Sequence, residues 1–448
     1  MNYKRTMLLK LTLPIFIESL LRILMGNINV LMISRYSENA VGAIGVANQV
    51  ISMLVVVYGI VSLGSAIAVG QHKGAGNYDM ASKVANVALV LNFLFGLALS
   101  MGVVVSARLV LKLMNIPAEL SGFAYTYIVI VGGASFNQAL MSAMSAISRS
   151  YGQTKFPMFI ALGMNLLNIA GNGISLFQPF GIPVLGIKGV AFSTAISQAI
   201  GVLVMGHFLY KQVGVEFRFS YFKPFPKDIF KLIIKIGTPA AGESMAYTFS
   251  QLATTAIVTM IGPNAITGMV YVMNLTYFVS ILGGSLGQGT QIAVSHLTGA
   301  GKMDEAYETC IRSVKMGALA NSIASIVLIL FRMQFLMLYT NDVEILRLCE
   351  NLFFIDFAAQ VIRPFNHVIG NSLRAAGDVR FPMIISSLSF WGVSVTLCYI
   401  LGVACGLGLT GVWIAFAIDE SVRGLTLLKR WKSRVWQSKV LVRIGGQA

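Results

Sequence analysis

The sequence predicts an all-α polytopic membrane protein with twelve transmembrane helices in two parallel six-helix repeats. Composition is the first reason, because 56% of the 448 residues are hydrophobic and only 11% are charged, against about 25% charged residues in soluble domains. Long charge-free runs are the second: Val84–Ala107 and Ser244–Ser295 contain no charged residue, and one span needs roughly 20 residues. The third reason is an internal repeat with a constant spacing.

The two halves of the chain repeat each other at a spacing of 225 residues. The matching segments are Gly64–Val69 with Gly289–Val294, Gly74–Gly76 with Gly299–Gly301, and Lys155–Met158 with Arg380–Met383. The matching single residues are Pro14 with Pro239, Glu18 with Glu243, and Arg149 with Arg374. The register is kept without a net insertion from Pro14 to Met158, so the halves arose by duplication. A duplicated hydrophobic chain is typical of a two-lobed transporter with its site at the lobe interface.

The charge-free runs place twelve spans along the chain. They are predicted at 10–34, 41–71, 83–107, 120–147, 156–178, 188–209, 233–259, 265–295, 309–339, 346–371, 381–402 and 409–428. Six spans per repeat is an even number, so both repeats start on the same side and are related by an axis along the membrane normal. The domains are then an N-terminal lobe at 1–209, a cytoplasmic interfacial linker at 210–232, a C-terminal lobe at 233–430 and a basic cytoplasmic tail at 431–448.

Lys and Arg predict the orientation. Of the 33 basic residues, 25 lie in segments on the side of the N-terminus, 6 lie in segments on the other side, and Arg22 and Arg363 lie within spans. Basic residues accumulate on the cytoplasmic side, so both termini are predicted to be cytoplasmic in a multi-pass protein of the cell membrane. The net charge of +16 is explained by attraction of these segments to anionic lipid, and we expect no nucleic-acid partner.

Several motifs together resemble the multidrug and toxic compound extrusion (MATE) family. They are Leu13–Pro14, Gly64–Gly76, Asn168–Asn172, Phe180–Gly186 and Ser372–Pro382. The resemblance covers nearly the whole chain. It implies two six-helix lobes around a central cleft, and export of organic cations or other amphiphiles by alternating access, driven by inward Na+ or H+ flow. Such a transporter needs no cofactor and no second subunit, so we expect a monomer that is not an enzyme.

The chain departs from the family pattern where coupling carboxylates are found. Many members carry Asp at the position of Asn29, and others at that of Asn172. The bacterial multidrug branch has acids where this chain has Tyr247 and Arg363. The familiar ion-binding carboxylates therefore do not carry over from the resemblance, and the sequence leaves the coupling ion open.

Charged side chains within the spans are the candidate coupling residues, because an ionised group at the bilayer centre costs about 2.5 kcal/mol or more. Glu18 and Arg22 are four residues apart, which predicts an ion pair that either locks the lobe or opens on protonation. Glu243 has Tyr247 at the same spacing and no neighbouring cation. The sequence predicts an unpaired carboxylate that takes a proton or attracts a cationic drug; alternatively, Tyr247, Gln251 or backbone groups satisfy it.

A second set of candidates lies in span 10. Asp356, Arg363 and His367 are roughly aligned on one helix face, and they predict either a proton relay or a local Asp356–Arg363 pair that keeps the span straight. Asp419 and Glu420 are expected to lie less deep in the membrane.

Amides and aromatic hydroxyls complete the predicted site. The substrate-binding candidates are Asn29, Gln49, Asn137, Asn168, Asn172, Tyr247, Gln251, Asn274 and His367. Such residues bind a drug's polar groups, coordinate Na+, or simply hold helices together. A cleft lined by spans 1, 7, 8 and 10 is expected.

The alternative function is a lipid-linked saccharide flippase of the same wider exporter group. Fourteen spans or a strongly cationic cleft would favour it, whereas the sequence predicts twelve spans and offers Arg22 and Arg363 as the cleft cations. An ATP-driven pump is not expected, because the paired Gly-Ala-Gly turns are not followed by the Gly-Lys-Ser/Thr of a phosphate-binding loop.

Overall fold

The computed structural model describes residues 5–177, 184–215 and 218–442. Within these ranges the chain is helical, with short connections and no β-strand. Residues 180–183 of a family motif, residues 216–217 of the linker and the last six residues of the tail lie outside the described residues.

The first repeat contains six long helical segments. They are α1 (Arg5–Ser34), α2 (Glu38–Gly74), α3 (Tyr78–Leu113), the pair α4 (Ala118–Tyr127) and α5 (Phe136–Ser150), α6 (Lys155–Phe177) and α7 (Gly186–Phe208). A π-helical turn, Leu209–Val213, extends α7, and a short 3-10 helix, Phe219–Phe222, follows in the linker.

The second repeat has the same order. Its helices are α8 (Lys227–Ile261), α9 (Pro263–Gly299), α10 (Met303–Leu330) with α11 (Arg332–Met337), α12 (Val343–Glu350) with α13 (Leu352–Pro364) and α14 (Gly370–Ala375), α15 (Arg380–Ser389) and α16 (Gly408–Lys432). Two π-helical stretches, Phe390–Val395 and Cys398–Ala404, continue α15. The prediction of an all-α protein with twelve helical segments in two repeats is confirmed.

Seven described helices are individually long and apolar enough to cross a membrane, and the bent pair of α4 and α5 makes an eighth. The four remaining long segments are α1, α8, the α12–α14 segment and α16. They carry Glu18, Glu243, Asp356 and the adjacent Asp419 and Glu420. The segments least distinguished by hydropathy are therefore those that carry the candidate functional charges.

The 225-residue spacing is visible in the helix ends. α2 and α9 begin at 38 and 263, and they end at 74 and 299. Both then turn through a glycine in the left-handed region, Gly76 with φ +75° and Gly301 with φ +71°. A residue with a Cβ is strained in that region, so the repeated Gly-Ala-Gly motif serves as a helix end.

Two spans are broken, each for a local reason. α4 passes through a π-helical turn, Ile128–Gly132, and meets α5 at 46°. Ser100 Oγ accepts the N–H of Phe136 at 3.0 Å and so satisfies a donor that the break leaves free. In the second repeat, α13 ends at Pro364 and a π-helical turn, Phe365–Ile369, follows. Proline removes a helix hydrogen bond, and π-helical turns often mark functional sites.

The described chain divides into two compact units. The C-unit contains residues 1–16, 74–76 and 239–448, and the N-unit contains residues 17–73 and 77–238. In lipid, helices associate through close packing, which small residues permit. One face of α3 in the N-unit accordingly buries Ala81, Ala85 and Ala88 completely.

The end of the chain is part of the core of the C-unit. Trp436, in a 3-10 helix at Val435–Lys439, is completely buried and stacks on Trp431 with ring centroids 4.2 Å apart. The Trp436 indole N–H donates to the Trp431 carbonyl oxygen at 3.0 Å. The same core includes Leu8 and Leu11 from α1. The segment predicted as a basic tail is thus a packed element as far as residue 436.

Candidate functional site

Two Glu–Arg ion pairs occupy equivalent positions in the repeats. In the N-unit, Arg149 Nη1 donates to both oxygens of Glu18, at 3.2 and 3.0 Å. In the C-unit, Arg374 Nη1 donates to Glu243 Oε2 at 2.6 Å. Each pair connects the first helix of a repeat, α1 or α8, to the helix end that precedes the repeated Lys/Arg-Phe-Pro-Met motif. All four side chains are largely buried, so each pair anchors one helix to another within its unit.

The prediction that Glu243 lacks a cationic partner is therefore wrong. It considered only neighbours along the helix, whereas the cation comes from Arg374, 131 residues further along the chain. The predicted Glu18–Arg22 pair does form, at 3.3 Å, but the Arg22 side chain is 75% exposed. Arg149 is the better-buried partner of Glu18, and sequence reasoning missed it.

The largest group of buried charges lies in the C-unit between α13 and α16. Arg363 Nε lies 3.1 Å from Glu420 Oε1, and its Nη1 donates to Ser280 Oγ at 2.5 Å. Arg423 lies 3.0 Å from Asp419 and 3.1 Å from Glu420. Arg423, which the charge pattern assigns to the cytoplasmic end of the last span, is therefore inside this cluster. Asp419 and Glu420 are also more deeply buried than their sequence positions suggested.

Asp356 joins the cluster through neutral side chains. Its Oδ2 accepts the Gln360 amide at 3.0 Å, and Gln360 Nε2 lies 3.4 Å from Ser280 Oγ, which also receives Arg363. The direct ion pair of Arg363 is formed with Glu420 and not, as predicted, with Asp356. We define the acidic cluster as Asp356, Arg363, Asp419, Glu420 and Arg423. It contains three acids and two cations.

Local backbone structure brings α13 and α16 together at this point. The π-helical turn after Pro364 carries Asn366, whose amide donates to both the backbone oxygen and the carboxylate of Glu420. A Cβ at Gly424 would lie 2.9 Å from Ile362 Cγ2, so only glycine lets α16 pack this closely against α13. His367 lies half-buried on the same turn.

Tyr247 and Gln251 form the polar edge of α8. The Gln251 amide donates to the Tyr247 hydroxyl at 3.1 Å. The Tyr247 ring lies 5.3 Å from the Phe390 ring, and the guanidinium of Arg423 lies 4.6 Å from Phe390 on a cation–π contact. Phe390 therefore lies between Tyr247 and the acidic cluster, and Tyr247 is 48% exposed.

The N-unit has an uncharged counterpart in a chain of amides. Asn172 Nδ2 donates to Asn29 Oδ1 at 3.1 Å and to Asn168 Oδ1 at 3.3 Å. Asn168 Nδ2 in turn donates to Thr194 Oγ1 at 3.0 Å. Asn168 and Asn172 are buried, and among the described residues Asn172 Oδ1 has no hydrogen-bond partner. The chain thus offers a free acceptor to a ligand's donor group.

The other predicted binding residues do not join these networks. Gln49 and Asn274, which correspond in the repeats, are both exposed, and Asn137 is buried on α5. Among the described residues, no three His, Cys, Asp or Glu side chains come close enough together to hold a metal ion.

Replacing Asn172 with alanine is expected to destabilise the protein by about 1–3 kcal/mol, because two buried amide oxygens lose their donor. The measurement is the apparent melting temperature of purified protein in detergent. Asn165→Ala is the matched control, since Asn165 is half-buried on the same helix and its change should stay within about 0.5 kcal/mol. Equal shifts in the two variants would contradict the importance of the amide chain.

Twelve helical segments, an internal repeat and charges buried in apolar helices define a polytopic secondary transporter. The family model MatE matches the chain at residues 14–174 and again at 239–400. The two matches begin 225 residues apart, at Pro14 and Pro239. The chain therefore belongs to the MATE family of membrane transporters, and the resemblance noted from its motifs is confirmed.

Curated relatives match over almost their full length. The chain is 38% identical to the uncharacterized transporter YisQ of Bacillus subtilis, covering 96% of this chain and 95% of the relative. It is 24% identical to the probable multidrug resistance protein NorM of Thermotoga maritima, covering 98% and 94%. The lipid-linked saccharide flippase finds no support among these relatives.

Solved structures share the fold. A transporter of the wider MOP superfamily from Pyrococcus furiosus is 17% identical with a TM-score of 0.87, covering 96% of this chain and 95% of that one. An outward-facing multidrug resistance MATE transporter is 18% identical with the same TM-score and the same coverage. At these identities the similarity establishes the helical architecture.

Proposed function

We propose that this MATE transporter exports organic cations or other amphiphilic drugs, driven by inward H+ or Na+ flow through alternating access of two lobes. Relatives named as multidrug resistance proteins support the substrate class. The lobes would be the two repeats, at 1–209 and 233–430, joined by the 210–232 linker. The distribution of 25 basic residues against 6 supports cytoplasmic termini.

The observation that carries the coupling proposal is the excess of acid in the acidic cluster. Its three carboxylates face two guanidinium groups, so one negative charge remains uncompensated within the cluster. A buried charge without a partner is costly, and such groups take up a proton or a cation. The cluster is therefore a site that gains a favourable interaction when one H+ or Na+ binds.

Asp356 is the proposed coupling residue of the cluster. Its direct donor is the neutral Gln360 amide, whereas Asp419 and Glu420 are each within 3.1 Å of a guanidinium. Binding an ion at Asp356 would change the charge that Ser280 and Arg363 experience. An ion that binds the two facings of the transporter with different affinity shifts their populations.

The other predicted coupling residues receive a different role. Glu18 and Glu243 are already neutralised by Arg149 and Arg374, so we propose that they fix helix positions while the lobes move. The amide chain of Asn29, Asn168 and Asn172 is proposed to accept hydrogen bonds from the substrate. Tyr247 would offer an aromatic face to a cationic drug.

The test is cationic-dye flux in proteoliposomes under an imposed H+ or Na+ gradient. Wild-type protein is expected to move dye against one of the two gradients, which identifies the coupling ion. Asp356→Asn is expected to abolish gradient-driven flux, because the asparagine keeps the shape but cannot carry the charge. Glu350→Gln is the matched control: Glu350 belongs to the same helical segment but is 39% exposed and paired with Arg332.

The outcomes separate the parts of the proposal. Full gradient-driven flux in Asp356→Asn would remove Asp356 from coupling, and Glu243→Gln would then be compared in the same assay. No flux with either gradient, in wild-type protein with an intact melting transition, would contradict the function as a drug exporter.

A further inference from the structure

A basic cavity lies at the end of α3, apart from both networks described above. It has a volume of about 480 Å³ and is lined by residues of α3, α4 and the turn between them, including Arg108, Lys112, Asn115, Ser121 and Tyr125. All of them belong to the N-unit. The volume lies within the range of small-ligand sites, about 300–1,000 Å³.

The cavity is positively charged. Arg108 and Lys112 are one helical turn apart on α3 and both line it, and none of the described lining residues is a carboxylate. The guanidinium of Arg108 lies 5.3 Å from the centre of the Tyr125 ring, a cation–π contact that restricts its orientation. An oriented guanidinium binds phosphate oxygens in pairs, and a lysine adds a point charge beside it.

An uncharged rim adds hydrogen-bonding groups. Ser121 carries a hydroxyl, Asn115 an amide, and Tyr125 a phenol. These groups can serve the hydroxyls or ester oxygens that accompany a phosphate in a lipid headgroup. The cavity therefore fits an organic phosphate better than it fits a bare cation or an apolar drug.

The surface beside the cavity is apolar and exposed. Val105, Leu109 and Leu113 follow each other at helical spacing on α3, and their side chains are 86%, 60% and 76% exposed. α3 is one of the helices long and apolar enough to span a membrane. A stripe of this kind on a membrane helix faces acyl chains, and it runs directly beside the Arg108–Lys112 pair.

We propose that this cavity binds an anionic phospholipid. The headgroup phosphodiester lies between Arg108 and Lys112, its polar substituent contacts Ser121 and Asn115, and an acyl chain follows the Val105–Leu109–Leu113 stripe. Positive charges at a helix C-terminus also complement the helix dipole, but that effect requires neither a cavity nor an adjacent apolar stripe.

The experiment measures the melting temperature of the full chain in neutral detergent during titration with lipid. The probes are phosphatidylglycerol, phosphatidylcholine and free inorganic phosphate. Phosphatidylglycerol is expected to raise the melting temperature in a saturable way, and the other two are not. In the double variant Arg108→Gln/Lys112→Gln, the apparent affinity for phosphatidylglycerol should fall about 30-fold, from the contribution of two basic residues near anionic lipid.

Arg35→Gln/Lys188→Gln is the matched control, because it removes the same charge from two exposed residues of the N-unit. It is expected to keep the wild-type affinity. Arg108→Lys provides a second, milder variant and should show an intermediate loss. Equal loss in the control pair, or an undiminished response in Arg108→Gln/Lys112→Gln, would overturn the site. The same response to free phosphate would overturn the lipid and leave an ion site.

Discussion

Replacing Arg363 with methionine is expected to destabilise the protein by about 3–5 kcal/mol, the cost of removing one partner from a buried ion pair. The side chain is 19% exposed, and it serves Glu420 and Ser280 at the same time. Without it, three carboxylates share the single guanidinium of Arg423. The expected result is a marked fall in the melting temperature in detergent, with dye export lost.

Two further variants test this explanation. Arg22→Met removes the other arginine that lies within a predicted span, but its side chain is 75% exposed, so the melting temperature should hardly change. Arg363→Met/Glu420→Gln removes the carboxylate left without its partner and should be more stable than Arg363→Met alone. If the double variant is the less stable one, uncompensated charge is not the cause of the loss.

Reversing Glu243 to arginine is expected to have an effect of similar size. It places two guanidinium groups at a largely buried contact that now measures 2.6 Å, and breaking such a pair costs about 3–5 kcal/mol. The double reversal Glu243→Arg/Arg374→Glu restores opposite charges and should recover much of the melting temperature. Recovery will be incomplete, because Arg374 also donates to Asn371 at 3.1 Å.

The repeat supplies a second copy of this test. Glu18→Arg/Arg149→Glu should recover in the N-unit as the equivalent pair does in the C-unit. Lys302→Glu/Glu305→Lys is the matched control, since both side chains of that pair are 40% exposed and exposed pairs contribute little. If neither double reversal is more stable than its single reversal, the two pairs are not anchors.

The sequence predicted the fold because both of its signals are local or repeated. Hydropathy located the helices, and the 225-residue spacing predicted matching ends such as those at Gly76 and Gly301. The same spacing contained the Glu–Arg anchors, because Glu18 and Arg149 recur as Glu243 and Arg374. The anchors were missed because helix neighbours alone were considered, whereas each pair is separated by 131 residues.

The acidic cluster could not be predicted in this way. Arg363 and Glu420 are 57 residues apart, and the equivalent residues of the first repeat are Gln138 and Ala195, so the repeat carries no trace of the pair. The meeting of α13 and α16 depends on the turn after Pro364 and on Gly424. Only tertiary packing brings these charges together.

The two repeats therefore share a scaffold and differ in chemistry. The first repeat contains Thr194 where the second contains Asp419. Thr194 ends a chain of amides in one unit, and Asp419 belongs to a cluster of charges in the other. Duplication supplied the helices and their anchors, and later substitutions gave each copy its own polar interior.

The burial of Trp436 in one core with Leu8 sets a condition on how the protein is made. A membrane protein is synthesised from its N-terminus, and domains generally fold as units while synthesis proceeds. The first helix contributes to a core that also needs a tryptophan twelve residues from the end of the chain. That core cannot close before translation is nearly complete, so the earliest hydrophobic residues to leave the ribosome must wait for almost the latest.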